Sequence, residues 1–249
     1  MAFAHMNYGL QNRVALVAAS SQGLGFAIAQ ALAAEGAQLA ICSRNPTAIE
    51  SARQRLPPGT LAMACDVTDQ AQVEALVKAT HEHFGRIDIC VTNSGGPPFK
   101  KFADTTIDDW QTAIANCLMS TVYFAREVLP LMQKQHWGRF LTITSVSVKK
   151  PLAGLVLSNS IRAAVDGLVK TLSVEYAKDG ITVNNLCPGF TATNRLKDAG
   201  NIDAISARLP FGRVATPEEF AALAVFLASD QAAYLSGESI AVDGASRWS

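Results

Sequence analysis

The residues near the start of this chain that could do chemistry are small ones: Ala18-Ala19-Ser20-Ser21-Gln22-Gly23-Leu24-Gly25. They follow an apolar run and open an alanine-rich stretch, the pattern of a strand turning into a helix. Small residues at such a turn let backbone N–H groups approach a pyrophosphate, and the helix N-terminus favours its charge. Many strand-to-helix turns use glycine only for its conformation. It is the position directly after the first strand that points to a dinucleotide. The end of the second apolar run refines the choice, reading Ile41-Cys42-Ser43-Arg44-Asn45. An acid there would accept from the ribose 2′-hydroxyl of NAD, and none is present. Ser43 and Arg44 stand instead where a 2′-phosphate would lie, and arginine suits phosphate through bidentate donation. The expected cofactor is NADP(H), preferred over NAD(H).

Other chemistries find less support. Cys42, Cys65, Cys90, Cys117 and Cys187 are widely spaced, with no Cys-x-x-Cys pair. They read as small buried hydrophobes in a reducing, cytoplasmic setting. His81 and His83 are two apart and so face different ways on a helix, and no metal site is expected. Lys+Arg and Asp+Glu number 21 each, which argues against a nucleic acid or an anionic membrane as partner. No apolar run reaches the roughly 18–20 residues of a membrane span. Residues 1–9 carry no signal-peptide pattern and are expected to be a flexible lead-in or a cloning remnant.

The elements that must position these residues follow from periodicity. Short, continuously apolar runs at 14–19, 38–42, 61–65, 87–92, 140–144, 182–187 and 239–242 read as strands buried on both faces. Helices are expected over 25–35, 69–84, 106–131, 156–178 and 217–227. Asp69 and Thr216 are their caps at two starts, Pro217 stands at a first helical position, and Gly36, Gly85 and Gly180 are stops. Strands alternating with helices imply an α/β fold, a doubly wound seven-stranded parallel sheet of Rossmann type. With 249 residues, 49% of them apolar, the chain is expected to form a single domain over 1–249. The long irregular region at about 188–212 follows a strand and is a candidate substrate flap.

Further motifs then come into order. The first turn resembles the Thr-Gly-x-x-x-Gly-x-Gly loop of short-chain dehydrogenases/reductases. Cys65-Asp66-Val67 is similar to that family's adenine-holding Asp-Val, and Asn93-Ser94-Gly95 to its Asn-Ala-Gly. Pro188-Gly189 with Thr191 and Thr193 resembles the Pro-Gly segment at the nicotinamide carboxamide, and the tail to Val242-Asp243-Gly244 is similar to that of 3-oxoacyl-ACP reductases. The resemblance runs from about residue 10 to 244. It implies a cofactor site of Ser20, Ser21, Gln22, Gly23, Leu24, Gly25, Ser43, Arg44, Asp66, Val67, Asn93, Ser94, Gly95, Arg162, Pro188, Gly189, Thr191 and Thr193. It implies catalytic positions at Asn116, Ser145, Ser158 and Arg162, a carbonyl or alcohol substrate of 3-oxoacyl type, and a homotetramer.

Three positions depart from the family pattern. Ala19 replaces the first glycine, tolerable if its φ is negative. Ser158 and Arg162 stand where the family has the tyrosine and lysine of Tyr-x-x-x-Lys. A tyrosine of pKa roughly 10, lowered by a lysine cation, donates the proton in that family. Serine is a far weaker acid, and arginine is effectively never deprotonated. Arg162 could still hold the nicotinamide ribose, and Ser145 and Ser158 could donate hydrogen bonds to a developing alkoxide. The proton would then come from water or an amine. Lys149 and Lys150 are the nearest amines, though such a pair ordinarily marks a solvated loop. Phe99, Leu152, Leu155, Phe190 and Leu196 are expected to form an apolar pocket. Lys100, Lys101, Lys149, Lys150 and Arg195 could ring its mouth and favour an acidic or phosphate-bearing substrate. The expectation is therefore an NADP(H)-dependent oxidoreductase with an atypical site, against the alternative of a weakly active or inactive NADP(H)-binding sensor or assembly partner.

Overall fold

The computed structural model describes residues 7–198 and 200–248, with only the backbone of Asp198. Its strands are β1 (Val14–Val17), β2 (Gln38–Ser43), β3 (Leu61–Ala64), β4 (Ile89–Thr92), β5 (Gly138–Ile143), β6 (Ile181–Pro188) and β7 (Ser239–Val242). They form one seven-stranded sheet in the order β3-β2-β1-β4-β5-β6-β7. Every pairing is parallel, with Val17 opposite Ile41 on one side and Val91 on the other. The order reverses between β1 and β4, so the connections leaving those strands diverge and open a crevice at their C-terminal ends.

The helices are α1 (Gly23–Ala34), α2 (Pro46–Arg53), α3 (Gln70–Phe84), α4 (Ile107–Ala113), α5 (Ser120–Gln135), α6 (Val156–Glu175), α7 (Asn194–Asp198), α8 (Ile202–Ser206) and α9 (Pro217–Ala228). They cover both faces of the sheet. Leu32, Phe220 and Leu227 of α1 and α9 pack on one face with Val17 and Ile41. Phe124, Val128 and Val169 of α5 and α6 pack on the other with Leu16 and Phe140. Such double coverage explains why the strands read as unbroken apolar runs.

Several expectations are corrected. The helix expected over 25–35 begins earlier, at Gly23. The helix expected over 106–131 is interrupted by a π-helical segment, Ile114–Met119. There Asn116 Nδ2 donates to Thr112 O (3.0 Å), Ser120 Oγ to Asn116 O (2.5 Å) and Thr121 Oγ1 to Cys117 O (3.2 Å). Side chains returning to carbonyls one turn back loosen the regular ladder. The helix expected over 156–178 ends at Glu175 and tightens to a 3-10 turn before Gly180, which is left-handed at φ 72°. The sequence reading missed α2, although Asn45 caps it through Ala48 N and Pro46 stands at its start. The flap at 188–212 is not wholly irregular, since it contains α7 and α8. Of the expected flexible residues 1–9, 1–6 lie outside the described residues. Asn7, Tyr8 and Gly9 are docked: Asp230 N donates to Tyr8 O (3.1 Å) and Gln231 Nε2 to Asn7 O. Among the described residues no helix is long and apolar enough to cross a membrane.

Candidate active site

A cleft of about 490 Å³ runs across the C-terminal ends of the strands on both sides of the β1/β4 reversal. Every expected site residue lines it except Ser20 and Gly25. Those two support the turn from behind. Ser20 is fully buried, and its hydroxyl donates to Val17 O (2.7 Å). At Gly25 a Cβ would lie 2.7 Å from Ala19 O and 2.9 Å from Asn93 Nδ2, so only glycine lets α1 start this close to the turn. The same Asn93 Nδ2 donates to Ala19 O (3.2 Å), and Ser20 N donates to Cys42 O (2.9 Å). These bonds hold Ala19 at φ 45°. The condition of a negative φ is therefore not met: Ala19 is left-handed, a conformation that costs a residue with a Cβ roughly 1–2 kcal/mol.

Gln22 caps α1 without a side-chain hydrogen bond, so no side chain from that position satisfies the first-turn N–H groups. Those donors and the helix dipole fit a pyrophosphate at the mouth of the turn. Gln22 Oε1 instead accepts from Asn194 Nδ2 (3.0 Å), tying the flap to the turn.

At the far end of the cleft, the Ser43 hydroxyl donates to Asn45 O (3.0 Å). In that rotamer it offers a ligand only its lone pairs. Arg44 is exposed and makes no ion pair with the described residues. Of the two, the guanidinium is thus the group able to donate to a 2′-phosphate. Asp66 Oδ1 accepts from Thr68 N (3.0 Å) and Thr68 Oγ1 (2.8 Å), which fixes the carboxylate beside Val67.

The expected catalytic positions converge at the opposite end. Asn116 is brought to the cleft on the π segment, a helical defect that often marks functional sites. Ser145 follows β5 and caps a 3-10 turn: its Oγ accepts from Ser147 N (3.1 Å), leaving its hydroxyl hydrogen for a ligand. Ser158, from the first turn of α6, is buried with its Oγ 3.4 Å from Ser147 Oγ. Arg162 lies one turn further along α6. Its Nη1 donates to Ile143 O (2.9 Å) and Thr144 O (2.6 Å), while its Nε is buried without a partner. Part of this guanidinium is thus a strut between α6 and the end of β5.

Among the described residues no tyrosine, lysine or histidine lines the cleft. Lys100 is drawn away to Asp109 (2.7 Å) and, with its helix-capping bonds, holds that carboxyl's pKa at about 2. Lys101, Lys149 and Lys150 lie outside the lining, so the expected lysine ring is not formed, and Arg195 alone of that group reaches the cleft. The expected apolar residues Phe99, Leu152, Leu155, Phe190 and Leu196 all line it. Ser147 was missed by sequence reasoning. So was the strap in which Arg195 Nη1 and Nη2 donate to Gly96 O (3.0 Å) and Pro97 O (2.8 Å). A serine two residues past Ser145 was the only local signal for the first. The strap joins residues about a hundred positions apart and left none. The five cysteines are free and buried, as a hydrophobe reading expects. Burial pushes the Cys187 thiol up, away from the reactive thiolate.

The chain is similar to known proteins over most of its length. The family model described as Enoyl-(Acyl carrier protein) reductase matches residues 18–245. The 3-oxoacyl-[acyl-carrier-protein] reductase FabG of Vibrio cholerae is 33% identical over 237 residues, spanning 94% of this chain and 97% of that protein. Among solved structures, YwfH, an NADPH-dependent reductase involved in bacilysin biosynthesis, superposes with a TM-score of 0.91 at 32% identity, covering 96% of this chain and 100% of that one. A 7α-hydroxysteroid dehydrogenase complexed with NADH gives 0.91 at 28% identity, covering 96% of each chain.

Proposed function

This chain belongs to the short-chain dehydrogenase/reductase family, and from that premise we propose that it is an NADP(H)-dependent oxidoreductase of carbonyl or alcohol substrates whose active site works without a tyrosine–lysine pair. The observation that carries the reading is the convergence of Asn116, Ser145, Ser158 and Arg162 at one end of a cleft whose other end presents Arg44. The fold does not choose the cofactor, since YwfH is NADPH-dependent and the steroid dehydrogenase is complexed with NADH. The choice rests on Arg44, which makes no ion pair among the described residues, and on the absence of an acid from the end of β2, Ser43-Arg44-Asn45.

The residues divide the work. The N-terminus of α1 and the Ser21–Gln22–Gly23 backbone bind the pyrophosphate, and Arg44 binds the 2′-phosphate. The Arg162 donors not used on Ile143 and Thr144 reach the nicotinamide ribose. When bound, the cofactor supplies or accepts the hydride. Ser145 donates its free hydroxyl hydrogen to the substrate oxygen and so stabilises the charge that develops there. Ser158, held near Ser147, orders that hydroxyl network, and neither serine is acidic enough to release its own proton. Water therefore delivers the proton. The exposed apolar side chains of Ile107 and Val174, on α4 and α6, support a homotetramer built on those helices. Light scattering would then give about four times the 26.4 kDa chain mass.

The reading is tested by NADPH oxidation against a broad carbonyl panel together with calorimetric binding. NADPH should bind at least tenfold more tightly than NADH, about 1.4 kcal/mol, and Arg44→Ala should erase the difference. Equal affinities in the wild type refute the cofactor assignment. Tight NADPH binding with no turnover across the panel favours a sensor or assembly role instead.

A further inference from the structure

The two ends of the cleft differ in charge balance. Among the described side chains Asp66 is the sole acid in the lining, and it lies at the same end as Arg44. Arg162 and Arg195 line the other end, and neither makes an ion pair among the described residues. Both are oriented by carbonyls: Ile143 and Thr144 for Arg162, Gly96 and Pro97 for Arg195. Carbonyls fix the planes of the guanidiniums but carry no compensating charge. The two cations also act on each other. Partial desolvation lowers the Arg195 pKa, and the Arg162 charge pushes it the same way. Like charges held together in a desolvated setting are unfavourable unless an anion sits with them.

The anion has a defined neighbourhood. The Arg195 guanidinium lies 5.6 Å from the centre of the Phe99 ring, and Leu152, Leu155 and Leu196 line the same end. Arg195 spends only two of its N–H groups on the strap, so donors remain for a carboxylate in the fork geometry that suits it. A phosphate of the cofactor is the other possible source of charge. It would be expected at the uncapped start of α1 and at Arg44, where separate donors already stand.

We propose that the substrate is a free oxo acid, its carboxylate held by Arg195 in the field of Arg162 and its apolar remainder packed on Phe99 and Leu155. The inference rests on the reading of the cleft as a nicotinamide-dependent reductase site and sets a neutral ester or thioester at a disadvantage. The reaction balances as a simple reduction. The carbonyl carbon gains hydride, its oxygen gains a proton from water, and one NADPH is oxidised to NADP⁺ for each hydroxy acid formed.

The test uses 2-oxo-4-phenylbutanoate and its ethyl ester on the NADPH-saturated protein, with calorimetric Kd and NADPH-oxidation kcat/KM as readouts. Wild type should favour the acid at least about tenfold, about 1.4 kcal/mol. Arg195→Gln should remove that preference by weakening the acid much more than the ester, and Arg195→Lys should restore part of it. Acid and ester bound alike, neither bound, or an Arg195→Gln variant that loses NADPH instead of the acid would each overturn the proposal. Preferential binding of the acid without turnover would uphold it while counting against the reductase reading, so the two fail separately.

Discussion

Arg162 offers the sharpest test of how the altered motif is built. Replacing it by methionine keeps an unbranched side chain of similar reach but removes the guanidinium. Ile143 O and Thr144 O then lose donors at 2.9 and 2.6 Å. A buried acceptor stripped of its partner costs about 1–3 kcal/mol. Both carbonyls border the cleft, where water can return, so the low end applies and the pair should cost about 2 kcal/mol. For a chain of this size each kcal/mol moves Tm by about 2–4 °C, which gives a fall of about 4–8 °C without cofactor. The remaining donors should be felt in binding, since a hydrogen bond to a charged group contributes about 1.5–3 kcal/mol. NADPH affinity should therefore fall by at least tenfold. Calorimetric melting with and without NADPH, combined with titration, reads both quantities. A Tm within a degree of wild type would refute the strut. A lowered Tm with unchanged NADPH affinity would make Arg162 a structural residue alone and remove it from the cofactor site.

Three further outcomes follow from the geometry. Ala19→Gly relieves a left-handed alanine at φ 45° and should raise Tm by about 2–4 °C, from about 1 kcal/mol; a lower Tm would show that the turn is not strained. Ser145→Ala should reduce turnover by about 10²–10³-fold, as for the loss of one oxyanion donor, and Ser158→Ala by clearly less. Equal losses would show that Ser158 touches the reacting oxygen. Arg213, with help from Thr216 N, holds the Glu219 carboxyl at a pKa of about 2. A depressed carboxylate pKa adds stability that is complete above the unfolded value and is lost as pH falls towards the folded one. Glu219→Gln should therefore destabilise at pH 7 but not at pH 2, and a melting difference that persists at pH 2 would refute the linkage.

Much of this architecture was legible before any coordinates. Apolar runs at strand length, the caps Asp69 and Thr216 and the stop at Gly85 are local signals. They report what a few neighbouring residues can do with their backbone groups, and the sheet followed from their alternation. The residues of the cleft were legible for a related reason: the ends of parallel strands gather at one edge, so motifs placed just after strands meet there. Ser20 and Gly25 were assigned to that surface because they share its motif, yet they face the interior. Which side of a turn a residue presents depends on what packs behind it, here Asn93 from the segment just after β4.

What the sequence could not disclose is set by contacts between distant segments. Ala19 takes a positive φ because Asn93 and Cys42 hold the backbone around it. The helix bearing Asn116 widens because side chains return to its own carbonyls. Arg162 becomes a strut because α6 crosses the end of β5. Lys100 leaves the cleft because Asp109 claims it, whereas Arg195, from a segment with no visible pattern, arrives to strap its rim. Charge on a page is a property of a residue type. Whether that charge is neutralised, buried or left waiting for a ligand depends on which group the fold sets within about 4 Å of it, and only the tertiary structure decides that.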